Sequence, residues 1–196
     1  MSAALDSAAL HFQDCSARLR CGCKGPGAET WLQASGFRLP ASANSAALDA
    51  DGVLVARLAS SEFLLEATTP TGAGMARVSA SRAQLRARMQ PRDVYAVARE
   101  DTVQTVSGRG LAELLRQICS VDFAPLLGAG MGPASPGHES PVLLTSMIGV
   151  GVVAWPQGAA ETAPAVTLWC EPSFGHYFWT TLREIGRDVG SVTEGE

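Results

Sequence analysis

Alternating apolar and polar positions predict most of the strands of this chain. Residues 18–24 alternate in the way that is typical of a strand with one buried face. Apolar residues 53–58 and 63–66 flank a short polar stretch and predict a β-hairpin. Further strands are predicted at residues 94–98, 103–106, 142–153 and 166–170, whereas residues 37–50 are expected to be irregular.

Helical spacing and end signals predict the helices. A short helix begins after Pro26 and ends before Gly36. Residues 111–118 carry an apolar side chain at every third or fourth position, and Ser107 is expected to cap that helix. A further helix is expected from Ser81, as its cap, to residue 89.

The last predicted helix begins near Pro172 and ends at Gly186. Its apolar side is expected to contain Phe174, Tyr177, Phe178, Leu182 and Ile185. Trp179 leaves that side of the helical wheel. It is therefore either a contact for another protein or a residue packed under a loop of the same chain.

Two parts of the chain share one pattern of a strand, a glycine-containing turn and a short apolar helix. Gly25 and Gly27 in the first part match Gly108 and Gly110 in the second at a constant offset. An apolar hairpin and a second helix follow in both parts. A duplication at a fixed offset decides the fold, so we predict an α+β protein built from two β-α-β-β-α-like units.

The predicted domain organisation follows from this repeat. Residues 1–13 are expected to form a flexible arm, and residues 188–196 a disordered acidic tail. Residues 14–187 are expected to form a single domain made of the pseudo-repeats 14–91 and 92–187.

Composition restricts the classes of function. The chain has 196 residues, of which 46% are hydrophobic, so it can bury a core. A net charge of −4 argues against a nucleic-acid partner. The most apolar stretch, residues 142–155, is too short to span a bilayer, and the first ten residues lack the features of a signal peptide. We expect a cytoplasmic protein with no membrane partner and with reduced thiols, because the five cysteines are an odd number.

Local motifs give little support for chemistry. Cys21 and Cys23 are either half of a metal site or buried apolar residues, and the lack of a second ligand pair favours burial. The glycines at 128, 130 and 132 do not lead into a predicted helix, which favours a loop over a phosphate-binding turn. No nucleophile motif occurs. We therefore predict no catalytic and no metal-binding residue.

Asp49 and Asp51 precede the strand at residues 53–58. Paired carboxylates at a strand end can act in acid–base chemistry if one of them is buried. The other interpretation, which we favour on the residues alone, is a turn formed by Asp51 and Gly52.

Several stretches, taken in their order along the chain, are similar to one known family. Residues 58–65, LASSEFLL, resemble Leu-Gly-Pro-Asp-Glu-Trp-Leu-Leu of that family. The other stretches are residues 14–16 with 24–28 and 31–32, residues 36–40 with 43–44, and residues 108–115 with 119–122. The chain resembles the gamma subunits of heterotetrameric sarcosine oxidase, within the aminomethyltransferase-like folate-binding family.

The resemblance implies a duplicated α+β folate-binding domain and a gamma-type subunit that is not catalytic alone. It implies no cofactor on this chain and places FAD, FMN, NAD, zinc and tetrahydrofolate on larger flavoprotein subunits. Aminomethyltransferases carry an Asp-Asp pair where this chain has Asp51 and Gly52. Asp51 therefore stands as a vestigial folate-site candidate.

Two hypotheses follow from the resemblance. The first is a non-catalytic subunit of a complex that oxidatively demethylates N-methyl amino acids in one-carbon metabolism. The second is a stand-alone tetrahydrofolate-binding or aminomethyltransferase-like protein. For the first, we expect the partner interface to include Trp179, Tyr177 and Met131, with Trp169 and Met147 nearby.

Overall fold

The computed structural model describes residues 9–87, 89, 91–127, 138–157 and 163–195. In chain order the strands and helices are β1 (Leu10–Asp14), β2 (Arg20–Lys24), α1 (Ala28–Ala34), β3 (Ser45–Leu48), β4 (Val53–Ala59), β5 (Glu62–Ala67), α2 (Ala73–Arg86), β6 (Tyr95–Val97), β7 (Thr102–Gly108), α3 (Leu111–Ile118), α4 (Ala124–Leu127), β8 (Glu139–Pro141), β9 (Leu143–Met147), β10 (Val150–Gln157), β11 (Ala165–Cys170), α5 (Gly175–Val189) and β12 (Val192–Gly195). A 3-10 turn, Pro172–Phe174, leads into α5.

The chain divides into two compact units. Unit I contains residues 17–100 and 138–142 of the described chain, and unit II contains residues 9–16, 101–127 and the described residues from 143 onward. Within the described residues, each unit has one six-stranded sheet. The strand order is β6-β2-β5-β4-β3-β8 in unit I and β12-β1-β7-β11-β10-β9 in unit II.

The two sheets share one strand pattern. The order β2-β5-β4-β3 in unit I corresponds to β7-β11-β10-β9 in unit II, and all these neighbours are antiparallel. A short helix, α1 or α3, follows the first strand in each case. The predicted α+β class with duplicated units is thereby confirmed.

Each sheet also has an added antiparallel strand beside its first strand. β6 pairs with β2 in unit I, and β1 pairs with β7 in unit II. Along the chain β1 comes just before β2, and β6 comes just before β7. The strand that precedes the first strand of one unit is therefore part of the sheet of the other unit.

Separate apolar cores lie between sheet and helices in the two units. In unit I, Leu32 of α1 and Val78 of α2 are fully buried against Phe63 of β5. In unit II, Phe12 of β1 and Phe178 of α5 belong to one buried cluster with the apolar side of α3. The helix predicted at residues 111–118 is observed with the predicted buried side, Leu111, Leu114, Leu115 and Ile118.

The predictions for the two chain ends are wrong where the structure describes them. Leu10 and Phe12, assigned to a flexible arm, are fully buried in β1. Val192–Gly195, assigned to a disordered tail, forms β12, which runs parallel to β1. α5 continues past Gly186 to Val189, so Gly186 does not end the helix. A glycine is required there by close packing, because a Cβ at position 186 would lie 2.9 Å from the ring of Phe12.

Other boundaries also differ from the sequence predictions. α2 begins at Ala73, and Ser81 is buried within it rather than capping it. β3 lies in the segment expected to be irregular. The segment 142–153 contains two strands, β9 and β10, joined at Ile148, whose φ is 46°. Ser107 is part of β7 and does not cap α3, whose N-cap residue is Gly110.

No helix in the described part of the chain has both the length and the apolar character that crossing a bilayer requires. The glycines at 128, 130 and 132 lie outside the described residues, so their predicted loop remains a prediction.

Candidate functional site

Asp51 lies in a tight turn that leads into β4. The backbone amide of Gly52 donates a hydrogen bond to the carbonyl of Asp49, and Gly52 has a φ of 77°. The carboxylate of Asp49 accepts hydrogen bonds from the amides of Asp51, at 3.0 Å, and Val53, at 2.9 Å. The turn favoured from the sequence is therefore observed, and Asp49 holds it together.

Both carboxylates bind one arginine. The guanidinium of Arg77 donates to Asp49 at 2.7 Å and to Asp51 at 2.8 Å. It also donates to the carbonyl of Gly36 at 2.7 Å, and it stacks 4.4 Å from the ring centre of Phe37. Since Asp51 is already paired with a cation, this arrangement anchors the turn to α2 and does not present a free carboxylate to a ligand.

Cys21 and Cys23 are buried, as the sequence favoured. Burial raises the pKa of the Cys21 thiol to about 12, with the guanidinium of Arg82 acting in the opposite direction. Burial also raises the pKa of Cys23 to about 12, and the neighbouring Cys21 and Glu62 add to that rise. Both thiols are therefore neutral at pH 7. Within the described residues, no group of three His, Cys, Asp or Glu side chains could hold a metal ion.

Trp179 is half-buried and packs within unit II. Its ring meets Phe12 edge-on, with 5.8 Å between ring centres and 79° between planes. The guanidinium of Arg183 lies 5.1 Å from the centre of the Trp179 ring. Trp179 therefore packs within its own chain, against strand β1 and not under a loop as one of the two predicted roles had it.

Tyr177 and Phe174 form the exposed aromatic pair at the start of α5. Their exposed fractions are 51% and 49%, so these two members of the predicted apolar side are not part of the core. The buried side contains Gly175, Phe178, Leu182 and Gly186 instead. Tyr177 donates a hydrogen bond from its hydroxyl to the carbonyl of Ile148 at 3.2 Å, which fixes the ring over the β9–β10 turn.

The remaining residues of the predicted partner interface divide into two cases. Trp169 and Met147 are buried, so neither can form an exposed contact in this conformation. Met131 lies outside the described residues. Of the predicted set, Tyr177 alone is an exposed residue of the described chain, and Trp179 is half-exposed.

Four arginines line a cavity of about 270 Å³ in unit I. Arg82 and Arg86 lie one turn apart on α2, Arg20 lies on β2, and Arg99 follows β6. Among the described residues that line the cavity there is no carboxylate. Cys21, Gly22, Leu85 and residues 96–98 complete the wall.

The arginines of this cavity differ in how they are paired. Arg20 is 5% exposed and donates to the fully buried Glu66 at 3.1 Å. Arg99 donates to Glu62 at 2.7 Å. Arg86 is mostly exposed, and its Nη2 lies 3.8 Å from Oε1 of Glu100. Among the described residues no carboxylate lies within salt-bridge distance of Arg82.

A second cavity, in unit II, has the opposite charge. It has a volume of about 370 Å³ and is lined by Thr145, Val153 and Trp169 together with two acidic residues, Asp101 and Glu171. Burial raises the pKa of Cys170 in its wall to about 11, and the charges of Asp101 and Glu171 add to that rise.

Sequence reasoning missed the arginine-lined cavity. Arg82 and Arg86 have the i, i+4 spacing that places two side chains on one face of a helix, and both lie within the predicted helix 81–89, so this signal was present in the sequence. Gly22 interrupts an alternating strand, and such a glycine often marks the close approach of another group. That group is the side chain of Arg99, whose Cγ and Nε would lie 2.9 Å from a Cβ at position 22.

Comparison with known sequences gives no assignment, because neither a family model nor a curated protein matches the chain. Comparison with solved structures gives the fold. The chain is similar to a chain of the heterotetrameric sarcosine oxidase from Corynebacterium sp. U-96, solved in complex with pyrrole 2-carboxylate. The TM-score is 0.65 at 21% identity, over 94% of this chain and 87% of that chain.

A second solved structure has the same fold. The glycine cleavage system aminomethyltransferase T from Bartonella henselae matches with a TM-score of 0.56 at 16% identity, over 95% of this chain. This chain spans about half, 48%, of that protein. The chain therefore has the aminomethyltransferase-like fold that is also present in heterotetrameric sarcosine oxidase.

Proposed function

We propose that this chain is a non-catalytic, gamma-type subunit of a sarcosine-oxidase-like complex that oxidatively demethylates N-methyl amino acids in one-carbon metabolism. The observation that carries the proposal is the structural match to a chain of heterotetrameric sarcosine oxidase, which extends over 94% of this chain and 87% of that one. The match to aminomethyltransferase T covers only 48% of that protein.

The environment of Asp51 supports a role without folate chemistry on this chain. The carboxylate of Asp51 is paired with Arg77, and the neighbouring Asp49 is used by the same arginine and by the turn. A ligand that needed either carboxylate would have to displace an ion pair. We accordingly assign FAD, FMN, NAD, zinc and tetrahydrofolate to the larger flavoprotein subunits of the proposed complex and none of them to this chain.

The exposed aromatic pair, Phe174 and Tyr177, is the docking contact that we propose for the larger subunit. Tyrosine is enriched at the centres of protein interfaces, because it combines a large apolar ring with a polar tip. The ring of Tyr177 is already fixed by its hydrogen bond to Ile148, so less side-chain entropy is lost on binding.

Co-purification tests the proposal. The tagged chain is expressed together with large flavoprotein subunits of the sarcosine-oxidase type from the same organism, and the purified material is examined by size exclusion with flavin absorbance as the readout. We expect one complex that carries flavin and oxidises sarcosine or a related N-methyl amino acid. A chain that elutes alone and free of flavin, under conditions in which the large subunits fold, would contradict the proposal.

Two tyrosines provide a matched pair for locating the contact. Tyr177 is 51% exposed in unit II, and Tyr95 is 55% exposed in unit I. We expect Tyr177→Asp to prevent co-purification and Tyr95→Asp to leave it intact. Equal loss with both variants would remove α5 as the docking element.

Binding of tetrahydrofolate by the isolated chain with a dissociation constant near 1 μM, about −8 kcal/mol, would favour the stand-alone folate-binding function instead.

A further inference from the structure

We propose that the arginine-lined cavity of unit I binds an oxyanion, the carboxylate or phosphate group of a small ligand. The cavity has a volume of about 270 Å³ and contains guanidinium-bearing residues from a helix, a strand and the segment after a strand. The residues of this site belong to unit I and those of the proposed docking contact belong to unit II, and the test of the site does not depend on the proposed function.

The charges around the cavity are unbalanced. Among the described residues, the four arginines of the wall and Arg18 have three carboxylates as salt-bridge partners, Glu62, Glu66 and Glu100. This excess of positive charge occurs in a chain whose net charge is −4. Guanidinium groups present planar forks of donors that match carboxylate and phosphate oxygens, so an anion is the complementary ligand.

Two of the arginines, Arg82 and Arg86, have no close carboxylate among the described residues, so their N–H donors are available to a ligand. Arg82 has no carboxylate within salt-bridge distance among the described residues, and Arg86 has one only at 3.8 Å. Because these residues are four positions apart on α2, both side chains lie on the same face of the helix. An oxyanion between them would receive charge-assisted hydrogen bonds, which are about twice as strong as neutral ones.

Arg99 provides a further observation. Its Nε is buried, and within the described chain it has no hydrogen-bond partner. The side chain lies across Gly22, which itself lines the cavity. This nitrogen is shielded from solvent, so Arg99 contributes its positive charge to the wall of the cavity and is held in place by its hydrogen bond to Glu62.

The rest of the wall does not oppose an anion. The thiol of Cys21 is neutral at pH 7, because burial raises its pKa to about 12. Leu85 and residues 96–98 provide apolar surface, which lowers the local dielectric and strengthens each charged contact. A volume of about 270 Å³ accommodates a phosphate ion or a short dicarboxylate.

NMR titration of the 196-residue chain with inorganic phosphate and, separately, with glutarate tests this site. The buffer is uncharged and of low ionic strength, since salt screens such contacts. We expect saturable shifts of the backbone amides of Gly22, Leu85 and Val97, with a dissociation constant below about 1 mM. A response to phosphate alone or to glutarate alone supports the site and identifies which anion it takes. Shifts confined to other parts of the chain, or shifts that do not saturate, would overturn the proposal.

Charge-matched variants separate a site from general attraction. Arg82→Gln should weaken binding by about tenfold or more, the loss expected when a charge-assisted hydrogen bond is removed. Arg86→Gln, at a side chain 62% exposed, should also weaken binding and is not expected to disturb folding. Arg92→Gln removes the same charge in unit I from a side chain that is 95% exposed, and it should change the constant by less than about twofold. Equal effects of Arg82→Gln and Arg92→Gln would show that no built site exists.

Discussion

Gly25 and Gly108 occupy the same place in the two units, at the turn from the first strand to the short helix. Their φ values are 122° and 126°. Gly25 donates its amide to the carbonyl of Ser61, just before β5, and Gly108 donates its amide to that of Pro164, just before β11. A Cβ at Gly25 would overlap the carbonyl oxygen of Asp93, and one at Gly108 would overlap that of Ala9. The added strand of each sheet therefore starts against a glycine.

Gly108→Ala should destabilise the protein strongly. The new side chain would face both an unfavourable positive φ and the backbone of residue 9, which cannot move away as a flexible side chain can. Strain of this kind costs about 1–3 kcal/mol, and we expect the urea unfolding midpoint to fall accordingly. The matched control is Gly151→Ala in β10, where a Cβ meets nothing within 4 Å.

The control should change the free energy of unfolding by less than about 0.5 kcal/mol. A second comparison, Gly36→Ala, has a φ of 79° but open space around the new methyl group. This variant separates the energetic cost of the positive φ from the cost of the steric overlap. If Gly108→Ala were no worse than Gly36→Ala, the close approach of Ala9 would have no energetic role.

The parts of the fold that the sequence predicted are those with strong local patterns. The helix Leu111–Ile118 and the hairpin of β4 and β5 have clear periodicity, so neighbouring residues suffice to specify them. The glycine repeat predicted the duplication because a turn with positive φ restricts the residue type directly.

The missed elements depend on partners distant in the chain. β1 is a short strand whose two partners are β7 and β12, one far along the sequence and the other near its end. β3 consists largely of small residues and pairs with β4 and with residues 139–141. Leu10 and Phe12 do alternate with polar residues, but two apolar positions are too few to predict a strand, and β3 has little contrast between apolar and polar residues. Neither strand could therefore be predicted from its local pattern.

The site could be predicted only in part for the same reason. Asp49 and Asp51 formed the predicted turn, because its hydrogen bonds are local. Their shared cation, Arg77, comes from α2, and nothing in the spacing of the sequence connects it to them. The arginine-lined cavity likewise combines β2, α2 and the end of β6, whose proximity follows from the sheet order.

Glu66→Leu should lower the stability of unit I substantially. The carboxylate of Glu66 is fully buried. It accepts hydrogen bonds from the guanidinium groups of Arg20, which is 5% exposed, and of the partly exposed Arg18. Removing the carboxylate leaves the guanidinium of Arg20 buried without its counter-charge, which typically costs about 3–5 kcal/mol. Chemical denaturation followed by circular dichroism measures the loss.

The double variant Arg20→Met, Glu66→Leu should recover much of that loss, because no buried charge then remains unpaired. Glu113→Gln is the exposed comparison. It breaks the contact between Glu113 and Arg116 on α3, whose side chains are 45% and 64% exposed, and should cost less than about 0.5 kcal/mol. Equal costs for Glu66→Leu and Glu113→Gln would show that burial does not decide the strength of these pairs.

Alkaline pH should destabilise the protein through its buried thiols. The pKa of Cys21 and that of Cys23 rise from 9.0 to about 12 on folding. Above pH 9 the unfolded chain therefore loses protons that the folded chain retains. The resulting stability is complete below pH 9 and is lost between pH 9 and 12, with a slope of about 1.4 kcal/mol per pH unit for each thiol.

Measuring the free energy of unfolding at pH 8 and pH 10.5, with reductant present, tests this slope. Other groups also ionise in this range, so the informative quantity is the difference between wild type and Cys23→Ala. The variant is less stable at pH 8 because a buried side chain is lost, but its stability should fall less steeply with pH. Parallel pH profiles for the two proteins would show that Cys23 does not titrate differently in the folded and unfolded states.

Substitutions of Trp179 and Tyr177 should distinguish a residue that stabilises the chain from a residue that is available for docking. Trp179 packs edge-on against the fully buried Phe12 and beneath Arg183, so Trp179→Ala removes contacts inside unit II. A fully buried tryptophan costs about 3–5 kcal/mol when it is truncated, and we expect about 2–3 kcal/mol for this half-buried one. Thermal unfolding of the isolated chain measures the loss.

Tyr177→Ala, in contrast, removes an exposed ring and one hydrogen bond to the carbonyl of Ile148, and should cost less than about 1 kcal/mol. If Trp179→Ala left the melting temperature unchanged, its contact with Phe12 would not stabilise the chain, and the ring would be available to a partner as an anchor. If Tyr177→Ala destabilised the isolated chain as much as Trp179→Ala, its role would be internal, and the exposed pair could not be assigned to docking. The expected order, a large loss for Trp179 and a small one for Tyr177, is what a docking contact built on a packed helix requires.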